Sequence, residues 1–303
     1  MRVVITGVTG LLGRYLLQSN QAQHTVLGVS LNSQLPDEHQ IAELINVDLA
    51  VPGAGTAVLE RLQPDAVIHA AGEGRVDAVE GRMPEHWQLN VGTAKEIAQY
   101  CGDRTIPLAF LSSNAVFGGS TLPYADSSQL DPINDYGRLK AEAEREVQAT
   151  DAGALVVRPL LMYGLPYPTG RLNPALHWVR ELSAGKVVRV VDDVRTQPLW
   201  ALDCARCIWR GLERGLSGPL NISGGQSLTL YEFALLTAEV FGLDPGLVQP
   251  IASSSLTMLA PRPMDTAFDL GRVHEELDFI PSTPRQGLQA LRAEYLTSQA
   301  QPS

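Results

Sequence analysis

Apolar positions in the first half of the chain follow two rhythms. Short runs of mostly apolar or β-branched residues, RVVIT (2–6), TVLGVS (25–30), ELINVD (43–48), DAVIHAA (65–71), IPLAFLSS (106–113) and ALVVRP (154–159), predict buried strands. Between them, LLGRYLLQS (11–19), PEHWQLNVGTAKEIAQYC (84–101) and NDYGRLKAEAEREVQA (134–149) carry apolar residues at helical spacing. Pro84 stands where a first turn tolerates it. This alternation predicts an α/β fold, a doubly wound parallel sheet covered on both faces. Past residue 160 the rhythm loosens, with helices expected at 172–184, 201–214, 229–242 and 284–298 and short strands near 187–191 and 219–222. Residues 1–160 then form one domain and 161–303 mainly a smaller α/β substrate lobe, with segments near 187–225 returning to the main sheet. The closing SQAQPS reads as a frayed tail.

Composition narrows the class. Hydrophobic residues at 45% and charged residues at 18% are globular values. The formal net charge of −10, with no basic run, argues against nucleic acid or an anionic membrane as the main partner. Three sparse cysteines fit a reducing cytoplasm. The apolar start breaks at Gly7 and Gly10, too early for a signal-peptide core, and no apolar run approaches the roughly 18 residues that span a bilayer.

The first strand runs directly into TGVTGLLG, with Gly7, Gly10 and Gly13 three residues apart. A tight turn there lets the backbone approach a pyrophosphate, and the following helix N-terminus offers amide donors and a positive dipole. Met alone, such a trio reads equally as a ligand-free turn. At the first strand of a β-α-β pattern it indicates a Rossmann-type dinucleotide site drawing on Gly7, Thr9, Gly10, Leu11, Leu12, Gly13 and Arg14. The second strand ends in GVSLNSQ, with Ser30 and Asn32 and no acid before Asp37. A carboxylate there would hold the ribose hydroxyls of NAD; without it, the 2′-phosphate of NADP meets no repulsion. No arginine follows the strand, and Arg14 is the nearest candidate for that phosphate. NADP(H) is favoured over NAD. Further cofactor candidates are Asp48 and Leu49 after the third strand, Ala70, Ala71 and Gly72 after the fourth, and Asn90, Ser112 and Pro159.

Lysine is rare here, and one of the three, Lys140, stands four residues after Tyr136 on a predicted helix. That spacing puts both side chains on one face. Reducing a ketone by hydride transfer requires a proton for the nascent alkoxide. A lysine beside a tyrosine lowers the phenol pKa and can hydrogen-bond the nicotinamide ribose. Ser113, ending the fifth strand, is placed to hydrogen-bond the substrate carbonyl.

At this point the motifs carry a family resemblance. TGVTGLLG, HAAGEGRVDAVE (69–80), LNVGTAKEIA (89–98), LSSNAVFGG (111–119), YGRLKAEAE (136–144), VVRPLLMYG (156–164) and RPMDTAFD (262–269) together resemble the extended short-chain dehydrogenase/reductases, and among them the dTDP-4-dehydrorhamnose reductases. The resemblance implies Ser113, Tyr136 and Lys140 as catalytic residues and Asn90 as a structural or proton-relay contact. Departures touch the substrate wall: Asn114 and Ala115 stand where the family shows an acid and an aromatic, and Pro159-Leu160-Leu161 replace its Thr-Ser-Trp. The region 192–200 keeps only the Asp and Pro of the family pattern.

Glu73, Arg75, Asn114, Asn173, Arg195, Trp200 and Arg262 are the remaining substrate candidates, Arg262 foremost because arginine forks suit phosphates. Cys204 and Cys207 form a CxxC on an apolar helix face with no second pair, so core packing is expected and no metal. His69 reads as a core or cofactor-loop histidine. Hydrolase and P-loop motifs are absent from the sequence. The expected function is NAD(P)H-dependent reduction of a nucleoside-diphosphate 4-keto-6-deoxy sugar, with a homodimer as one option for assembly. Two alternatives remain open: an epimerase or reductase of another carbonyl substrate, and a non-catalytic NADP-binding subunit similar to the regulatory subunit of methionine adenosyltransferase.

Overall fold

The computed structural model describes residues 1–32, 35, 41–120, 122–151, 153–257 and 259–300. Asp37 and the last three residues of the expected tail lie outside them. The N-terminal elements are β1 (Arg2–Thr6), α1 (Leu11–Gln18), β2 (Thr25–Ser30), β3 (Glu43–Asn46), α2 (Ala54–Leu62) and β4 (Ala66–His69). There follow α3 (Val76–Val79), α4 (Met83–Trp87), α5 (Thr93–Arg104), β5 (Leu108–Leu111), α6 (Asp135–Thr150) and β6 (Leu155–Pro159). The remainder comprises β7 (Met162–Tyr163), α7 (Pro174–Ser183), β8 (Val188–Val191), β9 (Arg195–Thr196), β10 (Leu199–Trp200) and α8 (Ala201–Glu213). Last come β11 (Gly218–Ile222), β12 (Leu228–Thr229), α9 (Leu230–Phe241), β13 (Val248–Ile251), α10 (Gly271–Leu277) and α11 (Pro284–Ala300).

Seven parallel strands form the central sheet in the order β11-β6-β5-β4-β1-β2-β3. Apolar side chains on alternate strand positions feed two separate cores, as a sheet covered on both faces requires. Val3, Ile5, Ile68 and Val157 pack with Leu12 and Leu16 of α1 and with Cys204, Cys207 and Ile208 of α8. Val4, Val67, Phe110 and Val156 pack with Leu59 of α2, Ile97 of α5 and Leu139 of α6 on the opposite face. Burial pushes the Cys204 and Cys207 thiols upward in pKa, in keeping with core packing. Strand order reverses at β1, which pairs with β2 on one side and β4 on the other, so a crevice opens at the carboxyl ends there.

Beyond β6 the chain builds small two-stranded pairs, β7 with β10, β8 with β13 and β9 with β12, around a third core containing Trp178, Phe233 and Leu288. Within this half, β11 pairs with β6 in the main sheet. Several local expectations differ from the structure. The third strand stops at Asn46 rather than Asp48, and residues 88–92 widen into a π-type turn inside the predicted 84–101 helix. α11 continues to Ala300, taking in the first part of the expected tail.

One buried polar assembly fastens α6 to the sheet. Arg158 of β6 meets Glu144 of α6 through Nε to Oε1 at 2.9 Å and Nη2 to Oε2 at 2.6 Å, with Ser112 also donating to Oε1. Both charged side chains are at most 3% exposed. Arg158 Nη1 donates to the Asp126 carbonyl at 2.9 Å, and Asp126 in turn accepts the N–H of Asn221 in β11. Truncating Arg158 leaves the Glu144 charge uncompensated. Arg158→Leu therefore lowers stability by about 3–5 kcal/mol in chemical denaturation. Pairing it with Glu144→Met recovers most of that loss, because no stranded charge remains.

Candidate active site

The glycine loop follows β1 with Gly7 at φ +71, a left-handed backbone that a side chain strains. A Cβ on Gly7 would stand 2.9 Å from the Ala71 nitrogen, and one on Gly13 would stand 2.2 Å from the Val8 carbonyl oxygen. Gly13 thus lets α1 pack directly on the loop. A Cβ on Gly10 would meet only the Gly7 carbonyl, so this side of the turn is open. No side chain caps the first turn of α1, where Leu11 and Leu12 lie. These features fit a dinucleotide pyrophosphate: a backbone surface open to approach at a helix N-terminus whose amides have no side-chain acceptor among the described residues.

Thr9 and Ser30 hydroxyls lie 2.9 Å apart, linking the loop to the end of β2, and Asn32 is exposed just beyond. Arg14 is turned elsewhere: it donates to the Pro166 carbonyl at 3.2 Å and lies 5.4 Å over the Tyr167 ring. Asp48 is exposed and accepts the Ala50 N–H at 2.8 Å, the behaviour of a turn former; Leu49 beside it is buried.

After β4, Thr6 Oγ1 accepts the N–H groups of Ala70 and Ala71 at 3.2 and 3.1 Å. With both lone pairs used, its proton goes to His69 Nδ1 at 2.7 Å, which assigns His69 the Nε2–H tautomer. Burial, with a smaller push from Lys140, lowers the His69 pKa to about 3. It is a neutral core residue that fixes the turn facing the glycine loop.

Beside this turn lies a cavity of about 550 Å3. Ser113, Tyr136 and Lys140 line it, together with Ala70, Gly72, Glu73, Ser112, Asn114, Pro159, Arg195 and Arg262 from the sequence-derived candidates. Asn134 caps α6 by accepting the Gly137 N–H at 2.8 Å, which starts the helix one turn before Lys140. A Cβ on Gly137 would come 2.1 Å from the Ala115 carbonyl oxygen, so only glycine lets Tyr136 approach the Ser113 turn so closely. Lys140 Nζ donates to the Leu111 carbonyl at 2.8 Å and lies 5.0 Å over the Phe110 ring. Burial lowers its pKa to about 8, opposed by the Glu144 carboxylate. Burial raises Tyr136 to about 12, with Ser113 hydrogen bonding pulling the other way and the Glu73 charge adding to the rise. The sequence implies that Lys140 lowers this phenol; in the structure desolvation is the largest cause and acts in the opposite direction.

Asn90 lies behind Gly72. Its amide nitrogen donates to the His86 carbonyl, while Oδ1 is buried with no partner among the described residues. That oxygen would be 2.9 Å from a Cβ on Gly72, whose next neighbour is Lys140 Nζ at 3.8 Å. An orphaned acceptor near the lysine is a place for a proton-bearing partner. Arg75 holds both oxygens of Glu73, Nε donating to Oε1 at 3.0 Å and Nη2 to Oε2 at 2.5 Å, and Asn114 donates to Thr266 at 3.0 Å.

Three substrate candidates are not brought to the cavity lining, and one of them, Arg75, is an exposed side chain that pairs with Glu73. Asn173 caps α7, with Oδ1 accepting the Leu176 N–H and Nδ2 donating to the Gly164 carbonyl, so it is structural. The Asn-Pro at a helix start carries this signal in the sequence. Trp200 packs edge-on against Tyr15 with ring centroids 6.5 Å apart, outside the cavity lining. The sequence reading also missed the apolar wall of Met162, Val191, Val194 and Leu230, and it missed Thr196, whose buried hydroxyl has no partner among the described residues. No group of three or more potential metal ligands clusters among the described residues, and no helix there is long and apolar enough to cross a membrane.

Residues 1–297 match the family model described as RmlD substrate binding domain. The chain is 32% identical over 258 residues to the dTDP-4-keto-6-deoxy-D-glucose reductase of Streptomyces niveus, an alignment covering 84% of each protein. It is 29% identical over 290 residues to methionine adenosyltransferase 2 subunit beta of Mus musculus, covering 93% of this chain and 84% of that one. Among solved structures, a dTDP-4-dehydrorhamnose reductase of Clostridium acetobutylicum superposes with a TM-score of 0.86 at 21% identity, covering 98% of this chain and 100% of that one. Its counterpart from Bacillus anthracis, in complex with NADP, gives 0.84 at 22% identity, covering 97% and 99%. These two likenesses establish the fold. With a family model spanning nearly the whole length and a relative of this identity, the chain belongs to the RmlD substrate binding domain family.

Proposed function

We propose that this protein reduces the ketone of a nucleoside-diphosphate 4-keto-6-deoxy sugar, with NADPH as the preferred cofactor. The observation that carries the reading is one cavity lined at once by Ser113, Tyr136 and Lys140 and by two arginines, Arg195 and Arg262. The first three residues suit carbonyl reduction; the arginines suit a diphosphate. The S. niveus relative is named for reduction of a dTDP-4-keto-6-deoxy sugar, which supports the substrate class. The NADP-bound B. anthracis neighbour and the lack of an acid at Ser30 and Asn32 support the cofactor.

The glycine loop and the uncapped start of α1 hold the pyrophosphate, and Lys140 holds the nicotinamide ribose. When bound, the nicotinamide supplies the hydride. Ser113 donates a hydrogen bond to the ketone oxygen and aligns it beside Tyr136. A phenol raised to about 12 is fully protonated at neutral pH, the form that a proton donor to the developing alkoxide needs. Once its proton has gone, Tyr136 is stabilised by the Lys140 charge one helical turn away. Asn90 Oδ1 accepts a hydrogen bond on the path that returns a proton to the site.

A second reading, a non-catalytic nucleotide-binding subunit, is favoured by the match to methionine adenosyltransferase 2 subunit beta over 93% of the chain. The two separate by assay. Absorbance decay of NADPH with a panel of nucleoside-diphosphate 4-keto-6-deoxyhexoses tests the reductase, and Tyr136→Phe lowers turnover by about 10²–10⁴-fold while NADPH binding is retained. Confirmed cofactor binding with no decay on any such substrate counts for the second reading.

The pH profile follows from Lys140. Its charge is present below about 8 and is lost as pH rises through that value. kcat/KM for ketone reduction therefore falls with a single-proton slope above pH 8, reporting the free enzyme. A profile flat to pH 10 contradicts a role for that charge.

A further inference from the structure

Arg262 meets the cavity with its charge already engaged. Its Nη2 lies 3.0 Å from Asp77 Oδ2, and its Nη1 donates to the Ala260 carbonyl at 3.1 Å. The other oxygen of the same carboxylate accepts the Ala260 N–H at 3.1 Å. One aspartate on α3 therefore holds both the guanidinium and the backbone of a segment far away in sequence. Asn134 Nδ2 adds a second tie, to the Pro261 carbonyl at 3.0 Å. Asp77 does not line the cavity, and its side chain is 53% exposed, against 28% for Arg262.

Arg195 differs. Its side-chain partners among the described residues are neutral, the hydroxyl and carbonyl of Ser227, both at 3.3 Å. Its backbone N–H bonds the Met264 carbonyl at 2.8 Å, so both arginines belong to the same wall. One cation on that wall is thus balanced by a carboxylate from outside the cavity, and the other, among the described residues, by the dipoles of Ser227.

We propose that Asp77 is a stand-in anion at Arg262: a residue outside the cavity that sets affinity for the substrate's diphosphate. The proposal rests on the reading of the site as one for a nucleoside-diphosphate sugar. A phosphate oxygen arriving at Arg262 meets a like charge already at ion-pair distance from the same guanidinium, and binds by displacing it or by tolerating it. Asp77 is half-exposed, so release into water costs it little, and product leaves by the reverse exchange. The sign is the opposite of that for an ordinary binding residue: removing the Asp77 charge strengthens anion binding, whereas removing the Arg262 charge weakens it.

Calorimetric titration of the full chain with thymidine and uridine diphosphates, and with the uncharged nucleosides, tests this. Asp77→Asn keeps an oxygen for the Ala260 N–H and should bind the diphosphates about twofold to fivefold tighter than the parent, with the gain shrinking in high salt. The nucleosides should show no such gain, nor should the diphosphates in an Arg262→Gln background. Asp77→Ser provides a second neutral variant with the same expected sign. If both neutral variants bind the diphosphates no better than the parent while Arg262→Gln binds them worse, Asp77 is only a buttress. The proposal then fails and the reading of the site stands. If the parent binds no diphosphate and Arg262→Gln changes nothing, both fail.

Discussion

The carboxylate of Glu144 and the guanidinium of Arg158 meet in the protein interior, almost wholly out of water, and the geometry of the site depends on that meeting. Two buried charges are a poor source of net stability, because desolvation takes back much of what their attraction supplies. What such a pair does provide is register: the helix can occupy only the position in which neither charge is stranded. Tyr136, Lys140 and Glu144 recur every four residues along α6, so they share one face. Fixing Glu144 against β6 and Ser112 fixes Lys140 one turn back under the Leu111 carbonyl. It fixes Tyr136 a further turn back at the cavity.

The same exclusion of water sets the protonation states. Burial pulls Lys140 down to about 8, raises Tyr136 to about 12 and holds His69 neutral. Glu144 counters part of the effect on Lys140, so the structural ion pair also helps keep the lysine charged near neutral pH. At the two arginines of the cavity lining the electrostatics are shallower. Arg195 is exposed and Arg262 partly so, and water screens both, Arg262 against the half-exposed carboxylate of Asp77 and Arg195 against Ser227.

Much of this was legible in the chain. The strands of the central sheet are nearly continuous apolar runs because both faces are covered, and that pattern survives without any tertiary information. The glycine loop and the Tyr136–Lys140 spacing are local, and local patterns are what a sequence displays directly. α2 was not anticipated because VPGAG, a string of turn formers, precedes and begins it, and Gly53 at φ +83 opens the helix. β13 carries Pro250 and, among the described residues, pairs with β8 alone, an edge position where proline is tolerated but hard to predict. Glu144 extends the Tyr-Lys spacing by one more turn, and that signal was present. Its partner Arg158 reads only as part of a strand. Asp77 and Arg262 are joined by folding alone, and nothing at either position announces the other. Asn173 carries a capping signal in the proline that follows it, whereas nothing in the sequence separates Trp200 as a packing contact from a wall of the pocket.

The most direct test of the account is the fate of a labelled hydride. NADPH carrying deuterium at the nicotinamide C4 would be incubated with the protein and a nucleoside-diphosphate 4-keto-6-deoxyhexose, and the product read by NMR. The account predicts deuterium on the sugar carbon that was the ketone. Cofactor and sugar both bound, with no deuterium on the sugar after long incubation with cofactor labelled at either C4 position, would contradict it.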